Sequence, residues 1–460
     1  MAARVLLFCL LLFSSSVLIS ISAPQSAGKA GVIFQGFYWD VPEGGTWYET
    51  LEEAAYDLSD IYGYSVDYIW FPPSSKGMSG AASMGYDPYD YYDLGQYDQK
   101  NTTETRFGSY DELKSAIDAY HSYGIGVIGD IVINHRGGGE SEYNPNTGNS
   151  TYTDFSGVAS EKCVWNYDAF HPSTYEGEDE GVFGGFPDLC HANSSVMADL
   201  SDWGQWLRGV GFDGWRFDYV KGYYPWVAEE FKNSTYDPFS VAEYWDRDIN
   251  LVKRWISDSG GGISALDFPL YYTLRDALNG NAGLWQIVDQ NYALAASYPM
   301  RSVTFVANHD TDEIVKDKML AYGFILTYQG YPCVWWKDYF DYGLSRGGAA
   351  EPLQEGNGID RLIWVRGYLG GGAPEIEVLH ADDDLLIYQE VAHMGYVMVM
   401  NDSTEWKGMG VTTRFKGTEL ECVAWSSTVD NSKPYNEWSD GGGYVELWAP
   451  PRGYAVFSLV

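Results

Sequence analysis

The chain has 460 residues, more than one ordinary core accommodates, and 45% of them are apolar, a normal share for a globular protein. Its 64 acidic and 28 basic residues leave a net charge of −36, a surface that repels nucleic acid and anionic membranes and excludes both as partners. Such a charge suits calcium and a neutral substrate, and it fits either life in high salt, where ions screen self-repulsion, or an acidic secreted protein of ordinary habitat. The 18 Trp and 38 Tyr are a high aromatic load, available both for core packing and for stacking on the apolar faces of sugars.

At the N-terminus Arg4 precedes an almost unbroken apolar run, then a Ser cluster, a second apolar run and the small residues Ser22, Ala23 and Ala27. Residues 1–27 read as a secretory signal peptide. The rival reading is a membrane anchor, which the interruption at Ser14 to Ser16 and the short apolar length disfavour. Cleavage removes Cys9 and leaves Cys163, Cys190, Cys333 and Cys422, enough for one or two disulfides whose pairing the spacing does not give. Asn-x-Ser/Thr sequons stand at Asn101, Asn149, Asn193, Asn233 and Asn401.

From about residue 31 to 373, strand-like and helix-like runs alternate. A β-rich run over 32–39 is followed by Leu51, Ala54, Leu58 and Ile61 at helical spacing, then a strand over 68–71 stopped by Pro72 and Pro73. Ser109 to Glu112 forms a capping box that opens a helix with Leu113, Ile117 and Tyr120 on one face, ending near Gly124. A long apolar strand covers 125–133, and further strands are expected at 214–220, 240–244, 265–268, 303–307 and 333–336, with helical runs such as 196–208 between them. Eight strands separated by helices predict an α/β fold, a (β/α)8 TIM barrel.

Two stretches break the rhythm. Residues 136–195 are rich in Gly, Asn, Asp, Ser and Tyr without helical period, and read as an irregular inserted subdomain after the third strand. Beyond Gly370 to Gly372 come short alternating runs that predict a C-terminal antiparallel β domain. The expected division is a barrel over 28–135 and 196–373, an insert over 136–195 and a C-terminal β-sandwich over 374–460. Trp406, Trp425, Trp438 and Trp448 in that last part are either a sugar-binding surface or its core.

The chemistry lies at strand ends. Asp130 to His135 ends one strand, Trp215 to Asp218 another, Glu243 to Trp245 a third and Asn308 to Asp310 a fourth. In a barrel that edge is where catalytic groups converge. Any one cluster could be a structural ion pair, but four at four such ends point to a site. Converging carboxylates with few basic groups suit glycosyl transfer, which needs one ionised carboxylate at the oxocarbenium-like carbon and a protonated one at the leaving oxygen. Arg216, two residues before Asp218 on a strand, shares its face and is expected to hold it ionised. Tyr244 and Trp245 give Glu243 an apolar setting, expected to raise its carboxyl towards an acid catalyst.

In order and spacing, the strings 130–135, 214–221, 243–245 and 305–310 resemble the four signature regions of the alpha-amylase family of glycoside hydrolases. The run from Gly85 to Tyr91 is similar to that family's early tyrosine motif. The likeness covers nearly the whole mature chain and, judged by 31–40, 184–187 and 211–221, is nearest to compact archaeal members. It implies Asp218 as nucleophile, Glu243 as general acid and base, and Asp310 as the carboxylate that binds sugar hydroxyls and stabilises the distorted transition state. It also implies that Arg216 orients the nucleophile, that His135 and His309 hydrogen-bond the sugar just before the cut, and that Tyr86 stacks beneath it. Lys221 is implied as a further substrate contact. Retention would follow, with nucleophile and acid about 5 Å apart.

The resemblance further implies a structural Ca2+ between barrel and insert, held by Asn134, Asp179 and Asp188 with carbonyls of Gly181 and Gly222, the oxygen-only set calcium prefers. The bland reading of Asp179 and Asp188 is solvated loop acid. Gly222 departs from the family, many of whose members carry His there, so a side-chain contact to sugars beyond the cut is missing. His171, Cys190 and His191, with Glu176 nearby, could alternatively suggest a transition metal. The implied function is endo-hydrolysis of starch and related α-1,4-glucans by a secreted monomer. Its rivals are an α-glucan transglycosylase, an oligosaccharide-specific member, or a non-catalytic carbohydrate-binding protein on the same fold.

Overall fold

The computed structural model describes residues 28–175, 181–237, 239–314, 316–346 and 357–459. The segment read as a signal peptide and two of the candidate metal residues, Asp179 and Glu176, lie outside them. No described helix is long and apolar enough to cross a membrane.

Eight parallel strands close into a barrel in chain order: β1 Ile33–Gln35, β2 Tyr68–Trp70, β3 Gly126–Ile131, β4 Gly214–Phe217, β5 Phe239–Ala242, β6 Ser264–Leu266, β7 Ser302–Phe305 and β8 Tyr331–Trp335. Closure is direct, since Cys333 to Trp335 of β8 pair with Ile33 to Gln35 of β1. All eight coincide with the strands expected from apolar runs. Several expected runs extend past the ladder, so Asp218, Glu243 and Asp310 stand just beyond strand ends, while Asp130 and Arg216 lie within β3 and β4.

Helices cover the outside. The first two are α1 Trp47–Ser59 and α2 Tyr110–Ser122, and both halves of the predicted capping box form on α2: Ser109 accepts from the Glu112 amide, and Glu112 from the Ser109 amide. The insert delays the next helix, α3 Ser194–Val210, which Asn193 caps. Then follow α4 Pro225–Thr235, α5 Ile249–Asp258, α6 Phe268–Leu278 and α7 Lys318–Thr327. Helix α7 is apolar all round and nearly every residue in it is buried, because it is covered on both sides, by the barrel and by the C-terminal sheet.

That C-terminal part contains β9 Ile376–Ala381, β10 Leu385–Glu390, β11 Val397–Asn401, β12 Lys407–Thr412, β13 Glu419–Ser427, β14 Glu437–Trp438, β15 Tyr444–Ala449 and β16 Gly453–Ser458. Six of these form one antiparallel sheet, and β12 with β15 forms a second. Strands β10, β11 and β16 are buried on both faces. Leu386, Tyr388, Met398, Met400 and Tyr454 join the barrel's core, while Leu385, Ile387, Val399 and Phe457 build a second core under β12 and β15. The junction is pinned by Arg452, which reaches Asp317 ahead of α7 and the Leu278 carbonyl on α6.

The insert is a hairpin (Glu140–Asn144 with Asn149–Asp154) and loops, packed around a buried Arg136. That guanidinium hydrogen-bonds the carbonyls of Tyr89 and Cys163 and stacks over the Phe155 ring at 3.9 Å. The four described cysteines are buried and unpaired, because Cys333 and Cys422 sit on different sheets and Cys190 faces Ser173 Oγ at 3.0 Å. No three described His, Cys, Asp or Glu side chains are grouped to hold a metal. His191 is instead committed to the Ile133 carbonyl at 2.8 Å. Of the sequons, Asn193 and Asn401 are buried and hydrogen-bonded, so the folded protein closes them to a glycan.

Candidate active site

Strand β3, with Asp130, and the loops that leave β4, β5 and β7, with Asp218, Glu243 and Asp310, bring four acidic side chains to one end of the barrel. Arg216, fully buried on β4, organises them. Its Nη1 donates to Asp130 Oδ1 and Asp218 Oδ1, both at 2.8 Å, and its Nη2 lies 2.8 Å from Glu243 Oε1. Asp130 is further fixed by the Trp70 indole N–H at 3.0 Å and the Tyr86 hydroxyl at 2.8 Å. Just after Asp218 the backbone turns left-handed at Tyr219, with φ 44°, which aims the Tyr219 amide at Glu243 Oε2 at 3.0 Å. A tyrosine in that region is strained and is held there by its surroundings.

One guanidinium therefore serves three carboxylates. This corrects the expectation that Arg216 simply keeps Asp218 ionised. Burial raises the Asp218 carboxyl well above the ordinary range; Arg216 pulls it down, and Glu243 and Asp130 push it further up. Asp130 is likewise raised, by burial foremost. Crowding like charges around a single cation in a water-poor site favours retention of a proton within the cluster. The setting of Glu243 is also more polar than its aromatic sequence neighbours suggest, being formed by Arg216 and the Tyr219 amide.

Asp310 completes the group from the far side. It is pushed up to about 6 by burial first and by Glu243 next, although a third of its side chain faces the open pocket, 33% by exposure. His309 Nε2 stands 3.1 Å from Asp310 Oδ2, and its Nδ1 meets Gln35 Nε2 at 2.9 Å. Burial, and then Arg216, hold His309 far below the usual histidine value, and burial lowers His135 too. Both rings are therefore neutral hydrogen-bonding groups at neutral pH.

These groups form the floor of a cavity of about 700 Å³ with aromatic walls. Tyr86 stacks on the His309 ring at 5.3 Å and 6°, and Trp39 stacks on Tyr86 at 5.9 Å. Opposite, Phe183 and Phe186 each stack against His135 at 4.9 Å. Lys221 lines the rim and is tied to Asp246 at 2.8 Å. Thus Asp218, Glu243, Asp310, Tyr86, Lys221 and His309 line one pocket, and Arg216 lies beneath it. His135 stands one layer back, hydrogen-bonded to the Tyr86 carbonyl at 2.9 Å. The sequence reading assigned no role to Trp39, Gln35, Trp70, Asp130, Phe183 or Phe186. Trp39 and Gln35 carried a signal, since both lie in the first strand-like run, beside the barrel's functional edge.

The four described metal candidates, Asn134, Gly181, Asp188 and Gly222, converge at the barrel–insert seam. Asn134 Nδ2 donates to the Gly181 carbonyl at 3.0 Å, while its buried Oδ1 has no hydrogen-bond partner. A Cβ on Gly222 would stand 1.9 Å from that Oδ1, and one on Gly181 would stand 2.5 Å from the Gly222 oxygen. Asp188 pairs with His135 across a backbone bridge, next to Asn134. This group of oxygens, one of them buried and unsatisfied, fits a hard cation.

Comparison with known proteins agrees with this geometry. The family model described as "Alpha amylase, catalytic domain" matches residues 57–335. An alpha-amylase of Bacillus licheniformis is 30% identical over 95% of this chain and 97% of its own length. A glucan 1,4-alpha-maltohexaosidase of Bacillus sp. (strain 707) is 30% identical over 92% of each, and the chloroplastic alpha-amylase 3 of Arabidopsis thaliana is 29% identical over 70% of this chain and 37% of its own. Among solved structures, an alpha-amylase from Malbranchea cinnamomea has a TM-score of 0.70 at 18% identity, covering 93% of this chain and 96% of its own. These relatives are bacterial, plant and fungal, and they lend no support to the archaeal likeness. With a catalytic-domain match over more than half its length and a 30%-identical relative aligned almost end to end, the chain belongs to the alpha-amylase family of glycoside hydrolases.

Proposed function

We propose that this protein hydrolyses internal α-1,4-glucosidic bonds of starch and related glucans with retention of configuration, as a secreted monomer. The observation that carries the reading is the single Arg216 guanidinium gripping Asp130, Asp218 and Glu243 beneath an aromatic-walled pocket. Asp218 attacks the anomeric carbon while Glu243 gives its proton to the departing glycosidic oxygen, leaving a covalent glycosyl ester. Glu243, now ionised, takes a proton from water, whose oxygen displaces Asp218. Asp310 and the neutral His309 hydrogen-bond sugar hydroxyls, and Tyr86 supplies the stacking face; His135, expected from the resemblance to touch the sugar, is fully buried and instead holds the Tyr86 carbonyl, so it positions that ring. Residues 28–135 and 196–373 make the catalytic body, 136–195 the metal-bearing insert, and 374–460 the C-terminal sandwich. The likeness to compact archaeal members rests on 31–40, 184–187 and 211–221 alone.

The test is soluble starch treated with purified mature protein, followed by iodine staining, reducing-sugar release and NMR of the first anomer formed. Iodine colour should fall well ahead of reducing sugar, and the first product should be the α-anomer. No hydrolysis with calcium present at low or high salt would overturn the reading.

Calcium fits the seam, held by Asn134, Asp188, the carbonyls of Gly181 and Gly222, and Asp179 from outside the described residues. Bound there, it would cross-link barrel and insert. A chelator is expected to lower the thermal midpoint, and Asn134→Ala to lower it in calcium and to abolish most of the chelator's effect. An Asn134→Ala protein whose midpoint still drops as far with chelator would place the ion elsewhere.

The position of Asp310 predicts an acid limb. Only the ionised carboxylate accepts from sugar hydroxyls with both oxygens and offers negative charge to the oxocarbenium-like transition state, so kcat/KM on a short maltooligosaccharide should decline about tenfold per unit below about pH 6. The linkage runs the opposite way for stability. The folded value is raised above the unfolded one, so stability from this group is present at low pH and is lost as pH rises through about 6. Asp310→Asn should therefore raise the thermal midpoint at pH 8 while removing turnover. A midpoint that falls at pH 8 would contradict this.

A further inference from the structure

We propose a second carbohydrate site, on the C-terminal sheets, that takes a short stretch of the same α-glucan the catalytic pocket cleaves; the identity of the ligand rests on the function proposed above. The site is a cavity of about 490 Å³ walled by Trp406, Trp448 and Tyr435, with Lys433 and Glu437 at its edge. It shares no residue with the catalytic pocket, and its size is that of a small-ligand cleft, roughly 300–1,000 Å³.

The four C-terminal tryptophans divide cleanly. Trp425 is core, with 6% of its surface exposed, whereas Trp448 is 42% exposed and Trp438 68%. Trp406 is partly buried, and its indole N–H is held by Asp430 Oδ2 at 2.9 Å, which fixes the ring plane. Tyr435 leaves 87% of its surface in water. Leaving rings of this size exposed around one concavity costs solvation free energy and is characteristic of a binding surface.

The backbone is shaped to keep that surface flat. On β15 the residues Tyr444, Glu446 and Trp448 point outward, alternating with buried Val445, Leu447 and Ala449. On the partner strand β12, Gly408 and Gly410 lie under the exposed rings. A Cβ at Gly408 would stand 2.8 Å from Trp448 Cγ, and one at Gly410 would stand 2.4 Å from Tyr444 Cζ. A larger residue at Gly410 would displace the Tyr444 ring, and one at Gly408 would meet both the Leu447 carbonyl at 2.1 Å and the base of Trp448.

Flat aromatic faces rimmed by a carboxylate and an ammonium match a pyranose, whose C–H face is apolar and whose hydroxyls radiate at its edge. A neutral ligand is required, since Glu437 and the nearby Glu446 repel an anion on a chain that already carries a net charge of −36. A polymer long enough to reach both sites would be held near the catalytic pocket at raised effective concentration. This advantage applies to polymeric or granular substrate and not to short oligosaccharides.

The experiment compares wild type, Tyr435→Ala, Trp448→Ala and the Trp406→Ala/Trp448→Ala pair. It reads depletion onto starch granules, turnover of granules and turnover of a short maltooligosaccharide. Granule affinity should fall about tenfold in the double variant and less in Tyr435→Ala, with oligosaccharide turnover unchanged in all. Tyr435, being almost wholly exposed, tests the site even if the tryptophan variants fail to fold. Unchanged granule affinity in Tyr435→Ala and in every folded tryptophan variant would overturn the second site while wild-type starch hydrolysis stands. A wild type that cleaves no starch would instead overturn the proposed function.

Discussion

Asp218→Asn is expected to reduce starch hydrolysis by about 10⁴-fold or more while binding of a maltooligosaccharide stays within a few-fold of wild type. The amide keeps the size of the side chain and a hydrogen-bonding oxygen for Arg216, but it cannot form the glycosyl ester. Structure should hold, because the exchange removes one of three carboxylates crowded on a single guanidinium. Asp218 is raised mainly by burial, and its ionisation costs stability, so the variant should unfold at the same temperature as wild type or a higher one. Calorimetry for oligosaccharide binding, with reducing-sugar release for turnover, separates the outcomes. If turnover persists within tenfold, Asp218 is not the nucleophile. If binding and turnover vanish together with a lowered melting point, the residue is a structural ion-pair partner.

Arg216→Met should be the single change that most destabilises the site. The substitution keeps an apolar stem of similar length and removes the guanidinium that Asp130, Asp218 and Glu243 share. Removing one partner of a buried ion pair typically costs about 3–5 kcal/mol, and here three partners lose it at once. The carboxyls would respond by taking up protons. Their folded values, already raised by burial for Asp130 and Asp218, would rise further. The sign of the pH dependence follows. Stability from raised carboxyls is present at low pH and is lost as pH rises through their folded values, so the variant's deficit should be larger at pH 8 than at pH 5. Urea midpoints at the two pH values, read against wild type, measure this. An equal deficit at both would mean that the arginine acts mainly through packing against Trp70. Turnover should drop by at least about 10³-fold, because both the nucleophile and the acid lose their common anchor.

Much of this site was legible because its parts are short and local. Asp218 follows Phe217 at the end of β4, and Glu243 follows Ala242 at the end of β5. An apolar run that stops on an acid can be read in a window of a few residues, as can the capping box at Ser109. What could not be read was which acids share a cation. Asp130 and Arg216 are 86 positions apart, yet they meet because β3 and β4 pair in parallel with Asp130 opposite Arg216. Strand register is a property of two segments together, and no single window contains it. The same limit hid the setting of Glu243, where the nearest groups come from β4 and the turn after it and not from its own sequence neighbours.

The C-terminal tryptophans make the point from the other side. Trp425 and Trp448 look alike in sequence, each within an alternating run. One is core because its side of β13 faces the second core between the two C-terminal sheets, and the other is exposed because it stands on the open face of the two-stranded sheet.

By itself the sequence determined the barrel, the position and type of its chemistry-bearing residues and the break into a β-rich C-terminal part. Those features rest on hydrophobic period, breaker residues and caps, which act over a turn of helix or a few residues of strand. Only the tertiary structure decided that one arginine serves three carboxylates, that His309 and His135 are neutral, and that Trp39 joins Tyr86 in the wall of the pocket. These are outcomes of closure. Burial and charge add up over every element that converges on a point, and that sum exists only once all eight strands are in register.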